Sequence, residues 1–202
     1  MRTISINLYT WDELSNVAKR AFFESGYFNF SDAYDSDYIG TIKAFSDVFG
    51  VKCTAYSVDA YNYNYDLHYT NELWYNMPED AKDCWLMRKL WNNFKNDMYK
   101  GKYYSNGTWA KHRNSKVIFN TDCVLTGCYT DCEIMRPIYD YMNGLVEFSS
   151  PYELFEACYD ALFSTWKSDI EYAESYEYFD EEMKDCYSEL MFTEDGRLWK
   201  GI

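Results

Sequence analysis

The stretch SPYELFEACYDALFSTWKSDIEYAESYEYFDEEMKDCY, Ser150 to Tyr187, decides how this chain folds. Ser150, Pro151 and Glu153 have the form of a capping box, in which hydroxyl and carboxylate each satisfy a backbone N–H of the first turn. Proline stands early in the helix, where its missing N–H costs nothing. Leu154, Phe155, Cys158, Leu162, Trp166 and Ile170 then stripe one face at helical spacing. Beyond them Ile170, Ala173, Tyr176, Phe179, Met183 and Tyr187 recur every three or four residues as a buried face. Glu171, Glu174, Glu177, Glu181 and Asp185 recur beside them, on a two-faced helix or a helix broken near Ser175. At a rise of about 1.5 Å per residue such acids stand roughly 4.5–6 Å apart along the axis, of the order of the phosphate spacing of a nucleic-acid strand. Any acidic amphipathic helix has the same row, so the pattern alone is equally a solvated face.

Charge is concentrated in this part of the chain. The whole sequence carries Lys+Arg 19 against Asp+Glu 33, a net of −14. Leu145 to Gly196 holds 15 Asp/Glu and 2 Lys, a net of −13, whereas Arg88 to Lys116 holds 8 Lys/Arg and only Asp97, a net of +7. A field of that sign repels nucleic acid and anionic membranes, so free nucleic-acid binding is disfavoured. The 22 Tyr and 13 Phe argue for an ordered globule, because chains that stay disordered are poor in aromatics. No cleavable leader and no apolar run of membrane length is visible, which predicts a cytoplasmic protein with no membrane association. Seven cysteines, Cys53, Cys84, Cys123, Cys128, Cys132, Cys158 and Cys186, have no framework spacing and read as reduced thiols.

Working outward, Thr3 to Tyr9 alternates as a half-buried strand, and Thr10 with Glu13 reads as a capping box opening a helix through Leu14, Val17, Ala18, Ala21 and Phe22. A second helix runs through Tyr38, Ile39, Ile42, Phe45, Val48 and Phe49 to Gly50 at its C-terminus. Val51 to Ala60 reads as a strand. In Tyr61 to Tyr69, Tyr61, Tyr63, Tyr65, Leu67 and Tyr69 share one face of another. Pro78-Glu79-Asp80 opens a helix reaching Gly101, Ser105-Asn106-Gly107 is a turn, and Lys116 to Asn120 is a strand. Thr130 with Glu133 repeats the capping box on a helix that Pro137 shortens or bends. Leu190 to Lys200 reads as a hairpin turning at Asp195-Gly196.

Strands separated by helices of unlike length predict an α+β fold with a small antiparallel or mixed sheet, several amphipathic helices and strongly acidic C-terminal helices. Residues 1–202 are expected to form one domain, with a mixed part at 1–144 and an acidic helical part at 145–202 that ends in the hairpin.

No signature of a nucleophile elbow, phosphate loop, zinc protease helix or dinucleotide fold appears. Cys123, Cys128 and Cys132 lie five and four residues apart without paired-thiol closure, so neither a metal nor a cofactor is expected and the thiols read as packed or idle. With only His68 and His112 available, and 33 acids of which any two could meet in space, nothing singles out a catalytic group. The segment around Tyr103, Tyr104, Trp109, Lys111 and Arg113 interleaves rings with cations. It offers stacking with phosphate pairing for a small nucleotide, or it neutralises the acidic part within the fold or across a homodimer.

YTWDELSNVAKRAF at Tyr9 to Phe22, LTGCYTDCEIMRPIYDYM at Leu125 to Met142, ESYEYFDEEM at Glu174 to Met183 and MFTEDGRLW at Met191 to Trp199 together resemble a family of small phage- and prophage-encoded proteins. Some of that family carry an antitoxin-like label, and this sequence departs from it in its tyrosine enrichment. The resemblance implies phage origin and a small-protein fold, and it transfers no catalytic residue. By analogy with acidic phage accessory proteins, it implies a non-enzymatic inhibitor of a host defence system, of anti-CRISPR or antirestriction type, some of which imitate DNA. The expected partner is a host defence protein or nuclease complex. The expected contact surface is Glu171, Glu174, Glu177, Glu181 and Asp185, with Tyr172 and Tyr178 supplying contact area. The alternative is a nucleotide sponge or sensor using residues 100–116.

Overall fold

The structure, a computed structural model, describes residues 5–69, 79–94, 99–100, 116–117 and 123–200. Its elements in chain order are α1 (Asn16–Glu24), α2 (Asp35–Phe49), β1 (Val51–Val58), β2 (Tyr63–Tyr69), α3 (Glu79–Phe94), β3 (Tyr99–Lys100), β4 (Lys116–Val117), α4 (Thr130–Met142), α5 (Pro151–Ala173) and α6 (Tyr176–Asp185). The fold is α+β. The strands make two antiparallel hairpins, β1 with β2 and β3 with β4. The chain divides into two compact units, one built from residues up to Ala33 together with those from Ser168 onward, the other from Tyr34–Lys167. That boundary falls inside α5 and not at 144/145, where the charge distribution divides the sequence.

In the Tyr34–Lys167 unit, α2 buries Tyr38, Thr41, Ile42, Phe45 and Phe49, one face at three- and four-residue steps. Gly50 follows with φ 72°, its N–H bonded to the carbonyl of Ser46 at 2.8 Å, so the helix ends where glycine tolerates the left-handed turn. β1 starts at once. In the hairpin Val51 pairs with Tyr69 and Val58 with Tyr63, with a bulge between Cys53 and Ala55. Asp59 closes the turn by accepting the N–H groups of Tyr61 and Asn62 at 2.7 and 2.8 Å, which leaves Tyr61 88% exposed and off the face that Tyr63, Tyr65, Leu67 and Tyr69 share. Those tyrosines meet α5. Tyr65 stacks on Phe163 at 5.1 Å, Phe163 on Trp166 at 5.6 Å, and Trp166 on Tyr38 at 4.8 Å, a run of near-parallel rings through the core. Tyr65 also donates to Asp160 at 2.8 Å, and buried Tyr159 donates to the carbonyl of Val51 at 2.8 Å.

At α5 the Ser150 hydroxyl accepts the N–H of Glu153 at 3.3 Å as expected, while the Glu153 carboxylate reaches one residue further back and accepts the N–H of Ser149 at 2.7 Å. The other two differ. Thr10 and Glu13 do make their contact, at 2.9 Å, but it closes only a turn; α1 begins at Asn16, capped by Ser15, whose hydroxyl accepts the N–H of Ala18 at 3.2 Å. This rotates the helix so that Val17 is 80% exposed and Ala21 is exposed too. At α4 the preceding residue Tyr129 gives no side-chain cap, because Thr130 turns inward, and the helix runs on through Pro137 to Met142. The expected strand at Thr3 to Tyr9 is reduced, among its described residues, to a single antiparallel bridge from Tyr9 to Phe192.

The other unit is an aromatic core of Trp11, Leu14, Ala18, Phe22, Phe179, Met183 and Phe192. Trp11 lies edge-on to Phe22, Phe179 and Phe192 at 6.0, 5.8 and 5.6 Å. The C-terminal hairpin forms as expected, Phe192 bridging Leu198 and the N–H of Gly196 bonding the carbonyl of Thr193 at 2.8 Å. No described helix is long and apolar enough to cross a membrane.

Candidate acidic interface

α5 ends at Ala173 and α6 restarts at Tyr176, so the acidic stretch is a broken helix. The break is made by Ser175, whose extended backbone (φ −74°, ψ 152°) leaves the helix while its hydroxyl accepts the N–H of Tyr178 at 3.2 Å. The turn brings Tyr172 back over α6. Its hydroxyl donates to Glu181 at 3.1 Å and its ring stands edge-on to Tyr178 at 5.3 Å. Tyr178 is half-buried against Phe30 at 5.9 Å, whereas Tyr172 is 42% exposed.

Phe179 and Met183 fix the orientation of α6 by entering the core. One neighbouring stripe, Tyr176, Asp180 and Lys184, faces α1 and is neutralised there. Arg20 lies 4.5 Å over the Tyr176 ring, Lys19 is 3.9 Å from Asp180, Lys184 is paired with Asp180, and the Trp11 indole N–H donates to Asp180 at 2.9 Å. Burial raises the Asp180 pKa, but the hydrogen bonds from Lys184 and Trp11 and the charges of Lys184 and Lys19 outweigh it and hold the carboxyl below its ordinary value.

The stripe of Glu177, Glu181 and Asp185, four residues apart, is different. All three are exposed, as are Glu171 and Glu174 at the end of α5, and among the described residues none of the five forms an ion pair. Like charges at i,i+4 cost a helix roughly 0.2–0.5 kcal/mol per pair, and Asp185 stands at the negative end of the helix dipole. Only Glu177, in the first turn, is placed where the dipole favours an acid. The arrangement lowers the stability of α6 while presenting a row of carboxylates edged by Tyr172. What the spacing of acids concealed was Asp180, which belongs to the interior contacts; its signal was Lys184 four residues on.

Tyr103, Tyr104, Trp109, Lys111 and Arg113 lie outside the described residues. Cys123, Cys128 and Cys132 are half-buried, and among the described residues no group of three His, Cys, Asp or Glu side chains could hold a metal. The loop that carries these thiols is organised by Asp131, which is wholly buried. One carboxylate oxygen accepts the N–H groups of Leu125, Thr126 and Gly127 at 2.8, 2.6 and 3.1 Å; the other accepts the hydroxyls of Thr41 and Thr126, each at 2.8 Å. Thr130 bonds Thr41 at 2.7 Å, which is why it does not cap α4. Burial, the adjacent Cys123 and the charges of Asp131 and Glu133 push the Cys132 thiol up to about 11. It is therefore held as a neutral, weakly nucleophilic group. The network is an interior tie between α2 and the loop before α4.

No protein-family model matches the sequence, no curated protein matches it, and no solved structure matches the fold.

Proposed function

We propose that the protein is a phage-type inhibitor of a host defence system, acting in the host cytoplasm by binding and not by catalysis. Its acidic face, Glu171, Glu174, Glu177, Glu181 and Asp185 with Tyr172 and Tyr178, occupies a basic nucleic-acid-binding or effector surface of an anti-CRISPR or antirestriction target and imitates the strand that surface binds. The observation that carries this reading is the contrast between two adjacent stripes of α6: Asp180 is neutralised inside the fold, whereas Glu177, Glu181 and Asp185 stand exposed without an ion pair among the described residues. Such a row steers a basic partner over a Debye length of about 8–10 Å at physiological salt, and Tyr172 adds contact area. The supporting charge asymmetry is the net −13 of Leu145 to Gly196.

The test is binding to a purified DNA-targeting defence nuclease, measured against salt, for the wild type and the triple variant Glu177→Lys, Glu181→Lys, Asp185→Lys. The variant is expected to bind more weakly and to lose most of the salt dependence. Unchanged affinity and salt slope would remove the stripe from the interface.

A further inference from the structure

The unit that holds α6 also holds a groove of opposite character. It is an open cleft of about 510 Å³ between the end of α1 and the C-terminal hairpin, floored by Phe22 and Leu198 and walled by Tyr27, Arg197 and Lys200. Two glycines shape it. Gly26, at φ 64°, turns the chain after α1 so that the Tyr27 ring comes back against Phe22 at 5.8 Å while staying 50% exposed. Gly196, at φ 83°, presses the hairpin turn onto α1 so closely that a Cβ there would stand 2.4 Å from the carbonyl oxygen of Ala18. The spacing of the two walls is set by backbone against backbone.

The chemistry on those walls is cationic and aromatic, with one carboxylate, Asp195, beside the cations. Arg197 is held through Nε by Asp195 at 3.1 Å, and Asp195 is held in turn by the hydroxyl of Thr193. The outer edge of the guanidinium, carrying the Nη donors, has no partner among the described residues, and the side chain is 84% exposed. Lys200 stands 5.0 Å over the Tyr27 ring and makes no ion pair among the described residues. A guanidinium held by one edge presents the fork that binds two phosphate oxygens at once, and an ammonium beside it supplies a point charge. A half-exposed ring over an apolar floor takes a flat, apolar body. The volume lies in the range of small-molecule sites, and Arg197 and Lys200 together outweigh the lining carboxylate of Asp195, which leaves the cleft positive toward a phosphate. In a chain of net charge −14 a polyanionic strand is repelled, which favours a small ligand over nucleic acid.

We propose that this groove binds a small organic phosphate bearing a flat ring, of the nucleoside monophosphate class, with the phosphate on Arg197 and Lys200 and the ring against Tyr27. The proposal is independent of the acidic face. Calorimetric titration of the full chain with AMP and UMP, beside adenosine and inorganic phosphate, tests it. A nucleotide is expected to bind at least tenfold more tightly than either half alone. Arg197→Ala should weaken that binding about tenfold or more, the scale of one charged hydrogen bond, and Arg197→Lys should restore part of it. Tyr27→Leu should bring nucleotide affinity down to that of phosphate. Arg197 is 84% exposed, so its variants should not move circular dichroism or thermal midpoint, and the circular dichroism of Tyr27→Leu should keep the wild-type shape. Equal binding of phosphate and nucleotide, no binding at millimolar ligand, unchanged affinity in Tyr27→Leu, or equally tight binding of a glutamate-rich peptide would each overturn it.

Discussion

The indole N–H of Trp11 donates to the carboxylate of Asp180 at 2.9 Å, which ties the aromatic core that holds Trp11 to a part-exposed acid of α6 169 residues further along the chain. Trp11 is 1% exposed, so its N–H relies on Asp180 as its hydrogen-bond partner. Asp180→Ala is expected to cost about 1–3 kcal/mol, the penalty of an unpaired buried donor, as a lower urea midpoint at pH 7. The Asp180 pKa is depressed in the folded state, so its contribution is complete above the ordinary aspartate value near pH 4 and is lost as pH falls through the folded value. The gap between wild type and Asp180→Ala should close in acid; a gap that persists unchanged at pH 2 would show that the ionised carboxylate is not what stabilises Trp11.

Asp131 makes a sharper demand. Five donors converge on one buried carboxylate, three of them backbone N–H groups that no other side chain satisfies. Asp131→Ala should therefore cost more than about 3 kcal/mol. Asp131→Asn should cost less, because the hydroxyls of Thr41 and Thr126 can rotate to accept from the amide. Equal losses in the two variants, measured by denaturant unfolding, would contradict this account of the network.

Gly196→Ala introduces a methyl group 2.4 Å from the Ala18 carbonyl at a backbone φ of 83°. Displacement of the hairpin from α1, at a loss of more than about 2 kcal/mol, is expected. Limited proteolysis should find new cleavage between Thr193 and Lys200, and an unchanged digestion pattern would argue that the turn can shift without cost.

At high pH the weak points are protonated groups inside the Tyr34–Lys167 unit. Burial, then the hydrogen bond to and charge of Asp160, raise Tyr65; burial outweighs the Ser46 hydrogen bond to raise Tyr159; burial raises Cys158. For an acid whose folded pKa is raised, stability is complete below its unfolded value and falls as pH rises above it, here from about 8.5 for the thiol and about 10 for the tyrosines. The urea midpoint should drop steadily above pH 9. Asp160→Asn should soften the tyrosine part of that drop, and a drop of the same size would remove Asp160 from the explanation.

Asp185 sits four residues after Glu181 in the last turn of α6, where repulsion and helix dipole both act against it. Asp185→Asn should stabilise the isolated protein by about 0.3–1 kcal/mol while weakening a basic partner's binding. A variant that is both more stable and an equally good binder would show that the carboxylate serves no partner.

Local chemistry was readable wherever it acts within one turn. The Ser150 cap on Glu153, the glycine after Phe49 and the Asp195-Gly196 turn are each decided by residues within four positions, and all three stand as expected. The Thr10 and Thr130 caps fail because of residues far away: Ser15 offers a better cap once Trp11 enters the core, and Thr130 is drawn inward by Thr41. The exposed acids were visible as a period, but period alone does not separate Asp180 from Glu177. That distinction depends on Trp11 and Lys19, which α1 brings to one side of α6 only. The groove had no periodic sign at all, since Tyr27 and Arg197 meet through two glycine turns.

The unit assembled from both ends of the chain has a consequence for synthesis. Trp11 and Asp180 are 169 residues apart, so a ribosome adding about 5–20 residues per second leaves Trp11, Leu14 and Phe22 without Phe179, Met183 and Phe192 for roughly 8–34 s. During that interval the Tyr34–Lys167 segment is synthesised, while the early apolar residues remain open to chaperones and proteases. Late-made residues close early-made ones, so the acidic face and the cationic groove come into being together, after translation has passed Leu198.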